Sequence, residues 1–506
     1  MKRVILALDV GTSSMRTIVF SLAGTVLHQT SFEYHTVFPK PSYVEQDPGD
    51  WREAAIETLS GAAVFLQKNE YEPMAISVTS QRASMIPMDE NGSPMRNAIM
   101  WQDKRTIPVC EGLIAQYGME SLYRKTGLRS NPLFVLNKII WLRENEPEIF
   151  RKAKKFIGVQ DYVVYQLTEE YVTDWTQASR TMLMDLSTFR WDEDLLKIAG
   201  ITPDRLCRLV PPGSVAGGLS PAFARLCDLP AGLPVIVSGG DQQNAAIALG
   251  VVKTGVAEAN TGTGSFVLSF SDKPVFEKDC RVLCQASAMA GNWMAETAIF
   301  NTGAIFRWFK ERFCPELRTI PEPYPIMTTW AAESPVGSRG VLMLPHFEGS
   351  AAPYWNPKAK GIFFNLGLST TRADMIRSIL EGIALEIEEN LGLMRGIIGP
   401  IGEVSVAGGL TRSDLFCAIQ SNVYNATVLR TKNPEASALG ASINAGVTLG
   451  VYESHQDAVQ KMLGIPEQFE PDPHKTEIYD RLALRRNKLY NALNDADVYS
   501  AFMGNV

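Results

Sequence analysis

A chain of 506 residues is too long for one core of about 100–200 residues, so about two to four domains are expected. Apolar residues at 45% and charged ones at 20% are ordinary for a globular protein and exclude disorder and fibrous repeats. With 48 Lys+Arg against 55 Asp+Glu the net charge is −7, which argues against wholesale binding of nucleic acid or anionic membrane and leaves a small-molecule task.

The start MKRVILALDV has only five apolar residues, Val4 to Leu8, before Asp9, short of the about 7–15 that a secretory leader needs. No stretch approaches the roughly 18 apolar residues that span a bilayer, so a cytoplasmic location is expected. Val4–Leu8 predicts a first strand, DVGTSS a turn, Met15 to Leu22 a second strand, and Val26 to Phe32 a third after the Ala23–Gly24 turn. Together they read as an antiparallel meander. Residues 211–221, PPGSVAGGLSP, read as a loop or linker. LPVIVSGGDQQNAAIALG then reads as a buried strand running into a helix through Gly239–Gly240–Asp241. At 255–270, GVAEANTGTGSFVLSF again sets a Gly/Thr/Ser turn between β-rich runs, which suggests a duplicated α/β architecture. Thr371 with Asp374 fits a capping box, and Ile376, Leu380, Ile383, Ile387 and Leu391 follow at helical spacing as a core stripe. Thr476 to Ala496 reads as a helical tail. The seven cysteines are scattered, with only Cys280 and Cys284 close and no histidine pair to complete a zinc site, so buried thiols are expected.

Gly-rich turns after strands present backbone N–H groups to phosphates without obstruction. Four stand out: Gly11–Ser14, Gly262–Gly264, Gly408–Gly409, and Gly440 in EASALGAS. None fits GxxxxGK[ST], and no GxGxxG opens a helix, so neither a P-loop nor a dinucleotide fold is supported. Asp9 ends the first strand beside Gly11–Thr12, where a carboxylate can hold hydrated Mg²⁺ against phosphates. Asp241 follows a double glycine at a strand end, the usual place for catalytic groups in open α/β sheets. From spacing alone it is either a base for an attacking hydroxyl or a helix cap. Arg180 in QASRTM reads as structural, paired with a carboxylate such as Asp174.

The ordered strings LALDVGTSSMR, YVEQDPGDW, NAIMWQDKRT, TDWTQASRTMLMDL, SGGDQQNAA, NTGTGSF, APYWNPKAKGIFFNL and VAGGLTRSDLF resemble the FGGY family of carbohydrate kinases, to about residue 450. The resemblance implies an α/β chain of two similar actin-like/ribonuclease-H-like domains, with sugar and ATP in the cleft between them. Residues 1–248 would be the sugar-binding domain, 249–455 the ATP-binding domain, and 456–506 a helical tail on the latter. The γ-phosphate of MgATP would pass to a hydroxyl of a sugar or polyol. Carried over by motif, Asp9 is the aspartate that holds Mg²⁺ through water. Gly11, Thr12, Ser13 and Ser14 are the first phosphate loop, and Gly262, Thr263 and Gly264 the second. Gly408, Gly409 and Ser413 fall where the family holds adenosine, and Asp241 matches the general base.

For the acceptor the motifs look most like the glycerol kinase branch: Gln81, Arg82, Trp101, Asp241, Gln242 and Phe266 match its polyol site. Two positions depart. Ala83 stands where glycerol kinases carry Glu, and Leu133 where they carry Tyr. Both changes remove hydrogen-bonding groups, so an acceptor larger than glycerol is expected, such as xylulose, ribulose, erythritol or gluconate. Glycerol kinase remains an alternative, and ETAIFNTGAIFRWFKERF resembles the autoinducer-2 kinases. An actin-like ATPase or a non-catalytic sugar sensor are the rivals from other classes. Neither nucleic acid nor membrane is an expected partner; the family occurs as monomers, dimers and tetramers, so the oligomeric state stays open, with a homodimer among the options.

Overall fold

A computed structural model describes residues 2–431 and 435–502, which divide into two compact units. The first comprises residues 2–252, 271–294 and 435–464; the second comprises 253–270, 295–431 and 465–502.

In the first unit, β1 (Lys2–Val10), β2 (Ser14–Ser21) and β3 (Val26–Glu33) form the expected antiparallel meander. After α1 (Pro48–Asn69) comes β4 (Tyr71–Ser80), which pairs parallel to β1 with Asp9 opposite Thr79. Asp47 caps α1 by accepting the Gly49 N–H, and Pro48 presets the first turn. Helix α2 (Val135–Asn145) follows, then the edge strand β5 (Ser214–Gly218), β6 (Pro234–Gly240) and α3 (Asp241–Ala248). The sheet order is β5-β6-β4-β1-β2-β3. Residues 211–221 are therefore not a linker: their centre pairs antiparallel with β6, and the register shift between Val215 and Gly217 is a bulge that an edge strand tolerates.

Strand periodicity places Val4, Leu6 and Leu8 on one face of the sheet, with Trp51, Ala55 and Leu59 of α1. Ala7, Ile18 and Phe20 face the other way, against Ile247 of α3 and Ala438, Leu439 and Ile443 of the helix Ala436–Thr448. That helix replaces the phosphate turn expected around Gly440. A Cβ on Gly440 would lie 1.8 Å from the Asn244 carbonyl oxygen, so this glycine lets two helices cross at backbone contact.

The second unit repeats the plan. Strand β7 (Val256–Thr261) pairs antiparallel with β8 (Ser265–Ser271), beyond which lies β9 (Trp293–Ile299). Helices α4 (Gly303–Phe313) and α5 (Arg372–Ile398) precede β10 (Glu403–Ala407), which pairs parallel to β7. Helix α6 (Asp414–Tyr424), β11 (Thr427–Arg430), β12 (Glu467–Phe469) and α7 (Pro473–Asp495) complete it. The order β9-β8-β7-β10-β11 matches β3-β2-β1-β4-β6: a central strand with an antiparallel partner on one side and a parallel one on the other. This is the α/β duplication that the two Gly/Thr/Ser turns suggested. Thr371 and Asp374 form the expected capping box of α5.

The units are drawn differently from the linear boundaries 1–248, 249–455 and 456–506. Residues 271–294 and 435–464 fold with the first unit, and the tail from 465 with the second. Arg486 of α7 anchors that tail to Glu386 and Glu389 of α5, and Tyr479 donates to Glu381 at 2.9 Å. All seven cysteines are buried free thiols. No helix among the described residues is long and apolar enough to cross a membrane.

Candidate functional site

The DVGTSS turn joins β1 to β2, and its carbonyls are held from within the first unit. Tyr34 Oη and Gln81 Nε2 donate to the Gly11 carbonyl, the latter at 3.1 Å. Gln46 Nε2 donates to the Thr12 carbonyl at 2.7 Å, and the Tyr34 N–H to that of Ser13 at 3.1 Å. The Gly11 N–H closes the turn on the Ser14 carbonyl at 3.0 Å. Gln46 belongs to YVEQDPGDW, so that string braces the turn from the short strand Glu45–Gln46. With its carbonyls committed inward, the turn is fixed as a rigid cradle.

Asp9 is almost wholly buried at the end of β1. Burial pushes its carboxyl above the usual carboxylate range, opposed by the Arg16 guanidinium 2.6 Å away. Register explains the pair, since Asp9 and Arg16 stand opposite one another on β1 and β2. Arg16 also contacts Glu435 at 2.6 Å, which holds it between two carboxylates. Sequence reading missed Arg16, although it ends the same LALDVGTSSMR string.

Asp241 opens α3 at the end of β6, with its side chain 26% exposed, and Arg82 Nε lies 3.5 Å from its Oδ1. Gly240, not Asp241, is the helix cap, so the capping alternative fails. The strand end before Asp241 is braced: Thr176 Oγ1 accepts the Gly240 N–H at 2.8 Å and itself donates to Asp174, while Asn244 Nδ2 reaches the Gly239 and Gly240 carbonyls. Asp174 also accepts from Gln160 and from the N–H groups of Thr176 and Gln177. The TDWTQ segment thus positions Asp241.

Around Arg82 lies a polar cluster. Gln285 Oε1 accepts from Arg82 Nη1 at 2.9 Å, Gln243 Nε2 at 3.0 Å and Arg180 Nη1 at 3.3 Å. Arg180 therefore shares a partner with Arg82, and its guanidinium stacks over Phe134 at 5.1 Å. Trp101 is half-buried and donates from Nε1 to Thr12 Oγ1 at 3.2 Å, which links it to the first turn. Ala83 is buried with φ 67°, a left-handed conformation unusual for a residue with a side chain. Leu133 is half-buried just before α2. Gln81 Oε1 and Gln242 Oε1 are buried acceptors without a partner among the described residues. The structure thus gathers Gln81, Arg82, Trp101, Asp241 and Gln242 in the first unit, and Phe266 on β8 of the second.

In the second unit, the NTGTGS turn between β7 and β8 meets the start of α4. Gly303 N–H donates to the Gly262 carbonyl at 3.0 Å, and Thr302 and Ala304 N–H both reach that of Thr263. Gly408 follows β10 with φ 100°, and a Cβ there would sit 2.1 Å from the Thr261 carbonyl oxygen. This close approach brings the two glycine turns together. They border a cavity of about 1110 Å³ whose lining includes Thr261, Gly262, Thr263, Gly303, Gly409 and Ser413. Its lining also includes Phe306 and Arg307 of α4, within the ETAIFNTGAIFRWFKERF string, and Glu322 to Pro325, which no motif marked. Ser413 caps α6, its Oγ accepting the Phe416 N–H. A cavity of this size accommodates a nucleotide.

No group of three or more metal-ligating side chains occurs among the described residues. A lone buried carboxylate such as Asp9 fits Mg²⁺ that arrives already bound to phosphates, and does not fit a resident, fully protein-ligated ion.

Residues 4–248 match the model of the N-terminal domain of the FGGY family of carbohydrate kinases, and residues 257–449 match that of its C-terminal domain. A gluconokinase of Bacillus licheniformis is 31% identical over 483 residues, covering 94% of this chain and 93% of that protein. A glycerol kinase of Thermococcus onnurineus is 33% identical over 466 residues, covering 90% of this chain and 91% of that protein. Among solved structures, a xylulose kinase from Rhodospirillum rubrum superposes with a TM-score of 0.91 at 28% identity, over 97% of this chain and 99% of that one.

Proposed function

The chain belongs to the FGGY family of carbohydrate kinases, and from that premise we propose that it transfers the γ-phosphate of MgATP to a hydroxyl of a four- to six-carbon sugar, polyol or sugar acid. The observation that carries the choice of acceptor is the pair Ala83, next to Arg82 in the chain, and Leu133, bridged to Ala83 by Lys138, neither of which offers a side-chain hydrogen bond. A triol held at both ends needs such partners; a longer chain of hydroxyls depends less on any one of them. Within that range a sugar acid is favoured by two guanidinium groups, Arg82 and Arg180, that share one carboxamide oxygen of Gln285. Such a pair suits a carboxylate. The gluconokinase likeness points the same way.

In this reading Asp241 takes the proton of the attacking hydroxyl, and Arg82 steadies its carboxylate. The remaining N–H groups of the two turns bind phosphate oxygens, those of Gly11 and Gly262 being spent on closing the turns, and the cavity beside Gly409 and Ser413 takes the adenosine. Asp9 would hold the Mg²⁺ that accompanies the triphosphate, and that ion would supply charge neutralisation. Arg16, paired with Asp9, opposes the upward push that burial gives its carboxyl. A coupled ADP-release screen across C3–C6 polyols, ketoses and sugar acids tests the proposal. D-gluconate or another C4–C6 compound is expected to give the highest kcat/KM. Glycerol as the clear best acceptor would refute the reading of Ala83 and Leu133, and background turnover with every compound would leave an ATPase or a sensor.

A further inference from the structure

Lys138 is fully buried on α2, yet it forms no ion pair at contact distance among those found in the described residues. Its Nζ donates instead to two backbone carbonyls, Ala83 at 2.5 Å and Leu133 at 2.6 Å. These are the two positions at which the acceptor side departs from the glycerol kinase pattern. One ammonium therefore ties together the two stretches of backbone that shape that side. The tie at Ala83 matters most. With φ at 67° that residue holds an unfavourable backbone conformation, which persists only where surrounding bonds over-determine it. Arg82, the residue before it, reaches Asp241, Gln243 and Gln285.

We propose that Lys138 is a positioning residue for the acceptor: its ammonium holds the Ala83 and Leu133 carbonyls and so aims Arg82 at Asp241. This rests on the acceptor reading given above. The side chain touches neither substrate nor the reacting atoms; it acts through the backbone. Without it, two buried carbonyls lose their donor and the left-handed turn at Ala83 loses its restraint. Burial pushes Lys138 down to about 7, against the pull of Asp103 and with the push of Arg105, the charged groups that act on it. A protonated amine binds carbonyl oxygens more strongly than a neutral one, so the grip slackens as pH rises through that value.

The test uses the full-length chain and the best acceptor of the screen, D-gluconate first. In Lys138→Met, the KM for the acceptor is expected to rise at least tenfold while the KM for ATP and the affinity for ADP stay within twofold. Placing the same change in an Ala83→Gly background should cost less, because glycine adopts the left-handed turn unaided. A uniform loss in both KM values and in ADP affinity, or equal losses in the two backgrounds, would overturn the proposal. Should Lys138→Met not fold, calorimetry on the wild-type chain decides. The acceptor is expected to bind at least threefold more weakly at pH 9 than at pH 6, with ADP binding as the control; equal acceptor affinity at both overturns the role. A wild-type chain that binds ADP but turns over no acceptor removes the acceptor reading, and the role of Lys138 falls with it. Acceptor turnover with no response to Lys138→Met removes Lys138 alone.

Discussion

At the scale of single residues, Asp241 and Gly408 bear the sharpest demands. Replacing Asp241 by Asn keeps size and hydrogen bonding but removes the base, so kcat should fall by about a hundred- to ten-thousand-fold. Thermal-shift titration should then find ADP affinity unchanged. Gly408→Ala meets both a φ of 100° and a carbonyl oxygen 2.1 Å from the new methyl group. The turn must move, with an expected loss of stability of about 1–3 kcal/mol and a raised KM for ATP but not for the acceptor. A variant with wild-type melting temperature and ATP KM would show that the two glycine turns need not touch. What the sequence revealed at this scale was local. DVGTSS and NTGTGS are legible because a turn is written in the residues that make it, and SGGDQQ because a strand end and a helix start adjoin. Arg16 and Lys138 were illegible for the opposite reason: a long cationic side chain reads as solvent-facing until the fold supplies its partners. Gly440 was misread because a helix crossing and a phosphate turn ask for the same residue.

Among elements, the buried charge joining α5 to α7 decides whether the tail stays docked. Arg486 is enclosed between Glu386 and Glu389, and the first of these also faces His346 at 3.1 Å. Removing one partner leaves carboxylates buried without compensation, so Arg486→Met should destabilise the protein by about 3–5 kcal/mol in thermal or urea unfolding. Exchange of Arg486, Glu386 and Glu389 together for apolar residues should cost much less. The helix around 160 offers a pH test. Asp161 accepts the Gly158 N–H at 2.8 Å, and burial pushes its carboxyl up to about 7. A carboxyl raised in the fold contributes stability below its unfolded value that is lost as pH rises towards 7. Asp161→Asn should therefore flatten the dependence of stability on pH between about 4 and 7, measured as urea midpoints. At this scale helices with caps and stripes were readable, α5 above all. The strand within 211–221 was not, because glycine and proline signal a loop locally while an edge strand with a bulge is decided by its neighbour.

For the whole molecule, the interleaving of the chain is the main finding that sequence did not show. The duplicated plan was visible as two similar turns. The return of residues 435–464 to the first unit was not, because membership of a core depends on contacts distant in the chain. Its consequence is testable. A fragment of residues 1–252 lacks the helix Ala436–Thr448 and leaves Ala7, Ile18 and Phe20 covered on their face of the sheet by Ile247, Ala248 and Val252 alone. It should bind hydrophobic dyes and aggregate. The same fragment with 435–464 joined by a flexible linker should show a steeper unfolding transition and less dye binding, and no difference between the two would mean that the helix is dispensable.

The same feature has a meaning in time. A ribosome making this protein finishes β6 and α3 roughly 190 residues before it reaches the helix that covers them, a delay of about ten to forty seconds at ordinary elongation rates. Throughout that interval the nascent first sheet has one oily side with only part of its cover. The cell must shield it, or the chain must wait half-folded while the second unit is threaded out. Expression yield is then governed by how long the polypeptide stays incomplete, and conditions that slow translation late in the message should penalise this protein more than one whose domains close in order.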